Sequence, residues 1–328
     1  MIQRAKVYSE EIPFFELLNS KFDSEGIINR IKNRSLNFIT DSIDDFSGYL
    51  NFIEKPSNRI LFDNQAKSLR FGDSKTVRIT SFYSANGILR VGYMPSRYSI
   101  YRGFSEIIDK SVDYEGLDSG IVGNRLLANH CGAGVFIDCR RGGSGSDAND
   151  RVLIGMRPNS EVIDTHRLFR TYSASGSADL SDSSPFETIK RETQEEINYY
   201  LDTDKTELIS FGYDSQLGYF QFSFYHKSDL DFSDIANLAA DARDSFEYDS
   251  LDLITFSDKE LERAVVEIAL LPWEPSALYS LIILFSGLIA EMSSDIGEYK
   301  LRVDNFRRDL ECEILKNNNN EKSFKIFI

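Results

Sequence analysis

Between residues 186 and 197, Phe186, Ile189, Thr193 and Ile197 recur at intervals of three and four, so at ~100° per residue they gather on one side of a helix and mark it for a core. Another side carries Glu192, Glu195 and Glu196, at offsets that bring the carboxylates within an arc of roughly 100° above one helical turn. Like charges so placed repel unless something positive meets them. Strand-like runs flank this helix, "GAGVFIDC" and "RVLIGMR" before it and "TELISFGYD", "GYFQFSFYHK" and "LDLITF" after it. One acidic amphipathic helix between such strands predicts a mixed sheet in an α/β/α arrangement.

The chain has 328 residues, enough for one extended domain or two in series. Residues 1–120 are expected to form a small α+β unit. There the spacing of Phe14, Leu17, Leu18 and Phe22 predicts a helix, and "RILFD", "SLRFGD", "TVRITSFYSA" and "GILRVGYM" predict antiparallel strands. Residues 121–275 hold the sheet and the acidic helix. In 276–328, Leu281, Phe285, Leu288, Met292, Ile296, Tyr299, Val303, Phe306 and Leu310 predict one or two long helices. Their stripe suits packing on the chain's own domain and a homodimer contact equally well. The tail "KNNNNEKSF" is expected to be mobile.

Hydrophobic residues make up 41% of the chain and charged residues 27%, an ordinary soluble globular mix. The uncharged run "PSALYSLIILFSGLIA" falls short of the ~20 apolar residues that span a bilayer, so a buried helix is expected and no membrane contact. A net charge of −15 and the lack of a Lys/Arg block argue against non-specific nucleic-acid binding. The first ten residues lack the apolar core of a secretory signal, and three cysteines cannot all pair, which points to a reducing, cytoplasmic setting. His130, Cys131 and Cys139 lack the short CxxC spacing of a structural zinc site. Gly142, Gly143 and Gly145 open no periodic helix and read as a hairpin tip.

A hard divalent cation is what such a carboxylate trio can hold, because Mg²⁺ takes oxygen ligands and shares them with phosphates. The same cation would let an acidic chain accept an anionic substrate. Arginines cluster before the helix at 140, 141, 151, 157, 167 and 170, and Arg157 and Arg170 are candidate phosphate donors. Tyr172 can stack on a base or fill a core, and His166 lies in the loop before the helix.

From Gly176 the sequence reads "GSADLSDSSPFETIKRETQEEINYY", which resembles the Nudix box, G-x5-E-x7-R-E-U-x-E-E-x-G-U, with U a bulky aliphatic residue. The order of strands and helices extends the resemblance over about residues 125–290, leaving the first 120 outside. Arg191, Glu192, Glu195 and Glu196 match the R-E-U-x-E-E segment, and Gly176 matches a glycine often found beside the first box position. Ser177, Ser183, Thr193 and Asn198 depart from the pattern, and Asn198 suits the left-handed turn that a glycine would make.

The resemblance implies a Nudix-like α/β/α sandwich and a hydrolase of phosphoanhydride bonds. Such an enzyme cleaves a nucleoside diphosphate linked to another moiety by attack of water at phosphorus. It further implies that Glu192, Glu195 and Glu196 bind Mg²⁺ or Mn²⁺ and that Arg191 orients them. Glu195, Glu196 or, from outside the box, Glu247 would be the general base. Ser183, in place of the first box glutamate, keeps open a different function, a nucleotide-binding sensor that does not hydrolyse its ligand.

Overall fold

The computed structural model describes strands within residues 3–40, then 50–51, 53–69, 72–85, 88–107, 128–140, 150–158, 167–214, 219–256, 260–270 and 272–320. The expected hairpin tip at Gly142, Gly143 and Gly145, and His166, lie outside the described residues. The strands are β1 (Gln3–Val7), β2 (Glu10–Asn19), β3 (Lys21–Phe22), β4 (Ile28–Asn29), β5 (Ile31–Lys32), β6 (Leu36–Thr40), β7 (Lys75–Ala85), β8 (Ile88–Arg97), β9 (His130–Arg140), β10 (Asp150–Met156), β11 (Arg170–Thr171), β12 (Ala174–Ser177), β13 (Thr206–Asp214), β14 (Tyr219–Lys227) and β15 (Ser250–Phe256). The helices are α1 (Pro56–Ser68), α2 (Tyr98–Ile107), α3 (Pro185–Ile197), α4 (Phe232–Ala240), α5 (Leu261–Ala269), α6 (Pro275–Glu291) and α7 (Ile296–Asn320).

A mixed sheet runs in the order β1-β2-β13-β14-β9-β7-β8-β6, and β9 is its hub. One edge of β9 pairs parallel with β14 along its length, from Tyr219↔His130 to Lys227↔Asp138. The other edge is divided: Gly132–Val135 pair with β12, and Ile137–Arg140 pair with β10. Side-chain alternation along β9 then builds two cores. Cys131, Ala133, Val135, Ile137 and Cys139 face Phe186, Ile189 and Ile197 of α3 and Ile235 of α4. Phe136 faces the opposite way, into the core made with α5, α6 and α7. Helices therefore cover both faces of the sheet, an α/β/α arrangement.

In α6, every residue from Pro275 to Ile289 is buried, against β13, β14 and β2. Ser276 donates to the Glu274 carboxylate at 3.0 Å, and Ser280 and Ser286 return their hydroxyls to the Ser276 and Ile282 carbonyls, so each buried hydroxyl has an acceptor. No described helix is long and apolar enough to cross a membrane. The C-terminal stripe divides between α6 and α7, and Phe285 stacks on Phe306 at 6.0 Å, so these apolar side chains meet inside the chain. Helix α7 continues to Asn320, taking in all four asparagines of the tail expected to be mobile; residues 321–328 lie outside the described residues.

Two expectations for the N-terminal stretch are corrected. Glu10–Asn19 is strand β2, not a helix, and pairs antiparallel with β13 from Asn19↔Ser210 to Phe14↔Asp214. A short apolar run reads with either period, and the open edge of β13 decides for the strand. Conversely, "RILFD" lies in α1, which Pro56 opens in its first turn and which buries Phe62. Because β2 joins β13 and β7 joins β9 at Arg78↔His130, strands from residues 1–120 extend the same sheet as the acidic helix packs on.

Helix α3 starts at Pro185 and ends on Asn198, which takes φ 52° and ψ 34° and donates its amide to the Gln194 carbonyl. Thr193 is fully buried, and its hydroxyl returns to the Ile189 carbonyl at 2.8 Å, so it fills an apolar slot without an unsatisfied oxygen. Because a β-branched residue strains in the left-handed region, Asn198→Val should destabilise the fold by about 1–2 kcal/mol in a urea melt, while Asn198→Gly should stay near wild type.

Candidate functional site

The site lies where α3 crosses β12. Gly176 of β12 sits under Glu192, and a Cβ added there would overlap the Glu192 carboxylate. The missing side chain at 176 is what lets this carboxylate lie against the sheet. One residue earlier, the Ser175 amide donates to Glu196 Oε2 at 2.9 Å. Glu192 and Glu196 are both buried, whereas Glu195, on the same arc, keeps about a fifth of its side chain exposed.

Arg191 binds the arrangement together. Its guanidinium donates to Glu192 Oε1 at 2.7 Å, Glu195 Oε2 at 3.2 Å, the Ser177 carbonyl at 2.9 Å and Asp182 Oδ2 at 3.0 Å. Burial works against its charge, but Glu192 and Asp182 hold it firmly protonated. Asp182 also accepts from Thr188 Oγ1 and from the Asp179 amide, each at 2.9 Å. A carboxylate one position before Ser183 thus supplies the outer support that the serine cannot.

The segment after α4 closes the site from the other side. Arg243 reaches Glu195 Oε1 at 2.9 Å, and the Asp244 amide donates to the Glu195 carbonyl at 2.8 Å. Glu247 lies within electrostatic reach of Glu196 and Glu192, and its charge opposes the ionisation of both. Tyr248 donates its hydroxyl to Glu196 Oε2 at 2.7 Å. The acids respond as crowded carboxylates do. Burial, against the pull of Arg191, pushes Glu192 up to about 7. Burial and then Glu247 and Glu192 hold Glu196 well above the usual range, and burial raises Glu247 as well.

Arg157 lies on the inner side of the cluster, within electrostatic reach of Glu196, Glu247, Tyr248 and Glu274. It contacts Ser175 Oγ at 3.4 Å and Glu274 Oε2 at 3.5 Å, while its buried Nε has no partner among the described residues. Glu274 is itself fixed by Thr171 and Tyr219 hydroxyls, each at 2.7 Å. An acceptor entering here, such as a phosphoryl oxygen, would satisfy the orphaned Nε.

Two expected ligand contacts prove structural. Arg170 donates from Nη1 to the Glu267 and Leu270 carbonyls at the end of α5 and lies over the Trp273 ring, so its guanidinium is held at a helix terminus. Tyr172 is fully buried against Phe136, in space left by Gly134, with its hydroxyl on Ser223, and it offers no face to a base. His130 and the two core cysteines form no zinc site: His130 stacks on Tyr101 and bonds Ser177 Oγ, and burial lowers it to about 3. Glu192, Glu195, Glu196, Arg191, Gly176, Arg157 and Glu247 do come together. Asp182, Arg243 and Tyr248 join them unforeseen; an acid flanking Ser183 was the available signal for Asp182, and nothing local marks the other two.

Among the described residues, no group of three or more His, Cys, Asp or Glu side chains is arranged to hold a metal ion. The set here is open and one-sided. That fits a hard cation held by one or two carboxylates and completed by water and substrate oxygens. Because the folded chain holds the Glu192 proton more tightly than an ordinary glutamate, its ionisation destabilises the fold progressively as pH rises from about 4.5 through about 7. In chelator-treated protein, Glu192→Gln should therefore gain thermal stability relative to wild type across that window; a difference that stays flat or shrinks as pH rises would contradict this.

No family model and no curated protein matches the chain. Among solved structures, it is similar to a mutT/nudix family protein from Listeria innocua at 17% identity, covering 50% of this chain and 96% of that one with a TM-score of 0.34. A Deinococcus radiodurans protein matches at 16% identity over 46% of this chain and 80% of its own, with a TM-score of 0.31. A NUDIX hydrolase from Alicyclobacillus acidocaldarius matches at 15% over 47% and 90%, with a TM-score of 0.34. Likenesses of this size concern chain arrangement alone and leave the chemistry to the residues of the site.

Proposed function

We propose that the chain is a divalent-cation-dependent hydrolase that cleaves the phosphoanhydride bond of a nucleoside diphosphate linked to another moiety. The observation that carries this is the cluster of buried Glu192 and Glu196 with half-buried Glu247, in which Glu192 lies over Gly176 while the buried Nε of Arg157 holds out a donor with no partner among the described residues. Carboxylates gathered this closely are stable as anions only when a cation joins them. Glu192, Glu196 and, on release from Arg243, Glu195 would hold Mg²⁺ or Mn²⁺. The ion's contribution when bound is to offset their charge and to draw electron density from a phosphoryl oxygen.

The remaining roles fall to the chain's own groups. Arg157 donates Nε–H to a phosphate oxygen and fixes the substrate's diphosphate over β12. Glu247, which enters from outside the helix, accepts the proton of the attacking water as its carboxylate. Arg191 keeps Glu192 and Glu195 aligned through both steps of substrate entry and departure. Gly176 leaves the room in which Glu192 can turn toward the ligand.

One observation favours a second function, a nucleotide sensor without turnover: both oxygens of Glu195 are held by arginines, Arg191 on one and Arg243 on the other. A product-resolved screen of nucleotide diphosphates with Mg²⁺ and Mn²⁺ separates the two. For a hydrolase, multiple turnovers are expected, and replacing Glu195 and Glu196 together with Gln should cost at least about 100-fold in kcat with circular dichroism unchanged. Undiminished turnover in that variant would sink the proposal. Saturable binding with no product after long incubation with Mn²⁺ would establish the sensor instead.

A further inference from the structure

The segment that closes the site supplies more than an acid. Tyr248 donates to Glu196 Oε2 at 2.7 Å, and the Ser175 amide donates to the same oxygen at 2.9 Å. Two donors on one oxygen fix the plane of the carboxylate and leave Oε1 engaged by neither of them. The phenol reaches this position because β10 makes room for it: a Cβ at Gly155 would overlap the Tyr248 ring. The backbone on either side is also tied down. The Asp244 amide bonds the Glu195 carbonyl of α3, and the Asp249 amide bonds the Met156 carbonyl of β10, each at 2.8 Å. The tyrosine therefore spans a short bridge between the helix that carries the acids and the strand beneath them, with little freedom to swing away.

We propose that Tyr248 is a positioning residue for Glu196, seated by Gly155, which presents Glu196 Oε1 to a divalent cation. This rests on the cation-binding function proposed above. Outer partners of this kind set ligand orientation, and their loss weakens metal binding although they never touch the ion. Tyr248→Phe removes only the hydroxyl and keeps the ring in its slot. Gly155→Ala does the reverse, retaining the hydroxyl and displacing the ring.

The test is a calorimetric titration of the full chain with Mn²⁺ alone, beside thermal melts of each variant. Tyr248→Phe should bind Mn²⁺ about 10-fold more weakly than wild type while melting within a few degrees of it. Gly155→Ala, where it folds, should weaken binding in the same direction. Where Glu196→Gln weakens Mn²⁺ binding and Tyr248→Phe leaves it unchanged, Tyr248 is a packing residue only and the positioning role is overturned. Equal Mn²⁺ binding by wild type and Glu196→Gln would overturn the cation site itself and the positioning role with it.

Discussion

Crowding of like charge against a sheet is the constraint around which this molecule is organised. Glu192 and Glu196 lie buried where α3 meets β12, a position that costs free energy whenever both are ionised. Such a site persists only when the surroundings over-determine it. Here Phe186, Ile189 and Ile197 anchor one side of the same helix in the core, Arg191 and Asp182 hold the other, and Asn198 ends the helix on a turn that leaves no slack. The acids do not hold the helix; the helix is held so that the acids can stand close.

The divided edge of β9 gives that helix its floor. One half of the strand pairs with β12, which carries Ser175 and Gly176, and the other half pairs with β10, which carries Gly155 and leads to Arg157. The two neighbours part at the place where the carboxylates gather. Residues distant in sequence, from 155 to 248, thereby reach one spot through two strands of a single partner. The second core, behind the sheet, stiffens this floor: α6 is buried along nearly its whole length, with Ser280 rather than a charge meeting the hydroxyls of Tyr172, Ser210 and Ser223.

Much of this was legible in the residues because it is local. The period of Phe186, Ile189, Thr193 and Ile197 specifies a helix, its acidic arc follows from the same geometry, and Asn198 announces its end. The strands around it alternate or run apolar as buried strands do, and β13, β14 and β15 lie where those patterns place them. What escaped depends on partners far along the chain. Phe14, Leu17 and Leu18 satisfy a helical spacing, yet the edge of β13 recruits them as a strand. Arg170 and Tyr172 have the chemistry of ligand contacts, but the terminus of α5 and the gap over Gly134 take them. Tyr248 and Arg243 carry no periodicity or motif, and only the fold brings them to Glu196 and Glu195.

The pairing of β2 with β13 also has a bearing on how the chain is made. β1 pairs with β2 on one edge, but on the other Asn19 meets Ser210, so the β1–β2 pair cannot join the sheet until the acidic helix and β13 have been synthesised. Closure over so long a separation is slow, and an apolar strand awaiting its neighbour is open to pairing with another nascent chain. The order of synthesis thus runs against the order of assembly. This edge of the sheet is sealed only once β13 is made, although β2 precedes it in the chain.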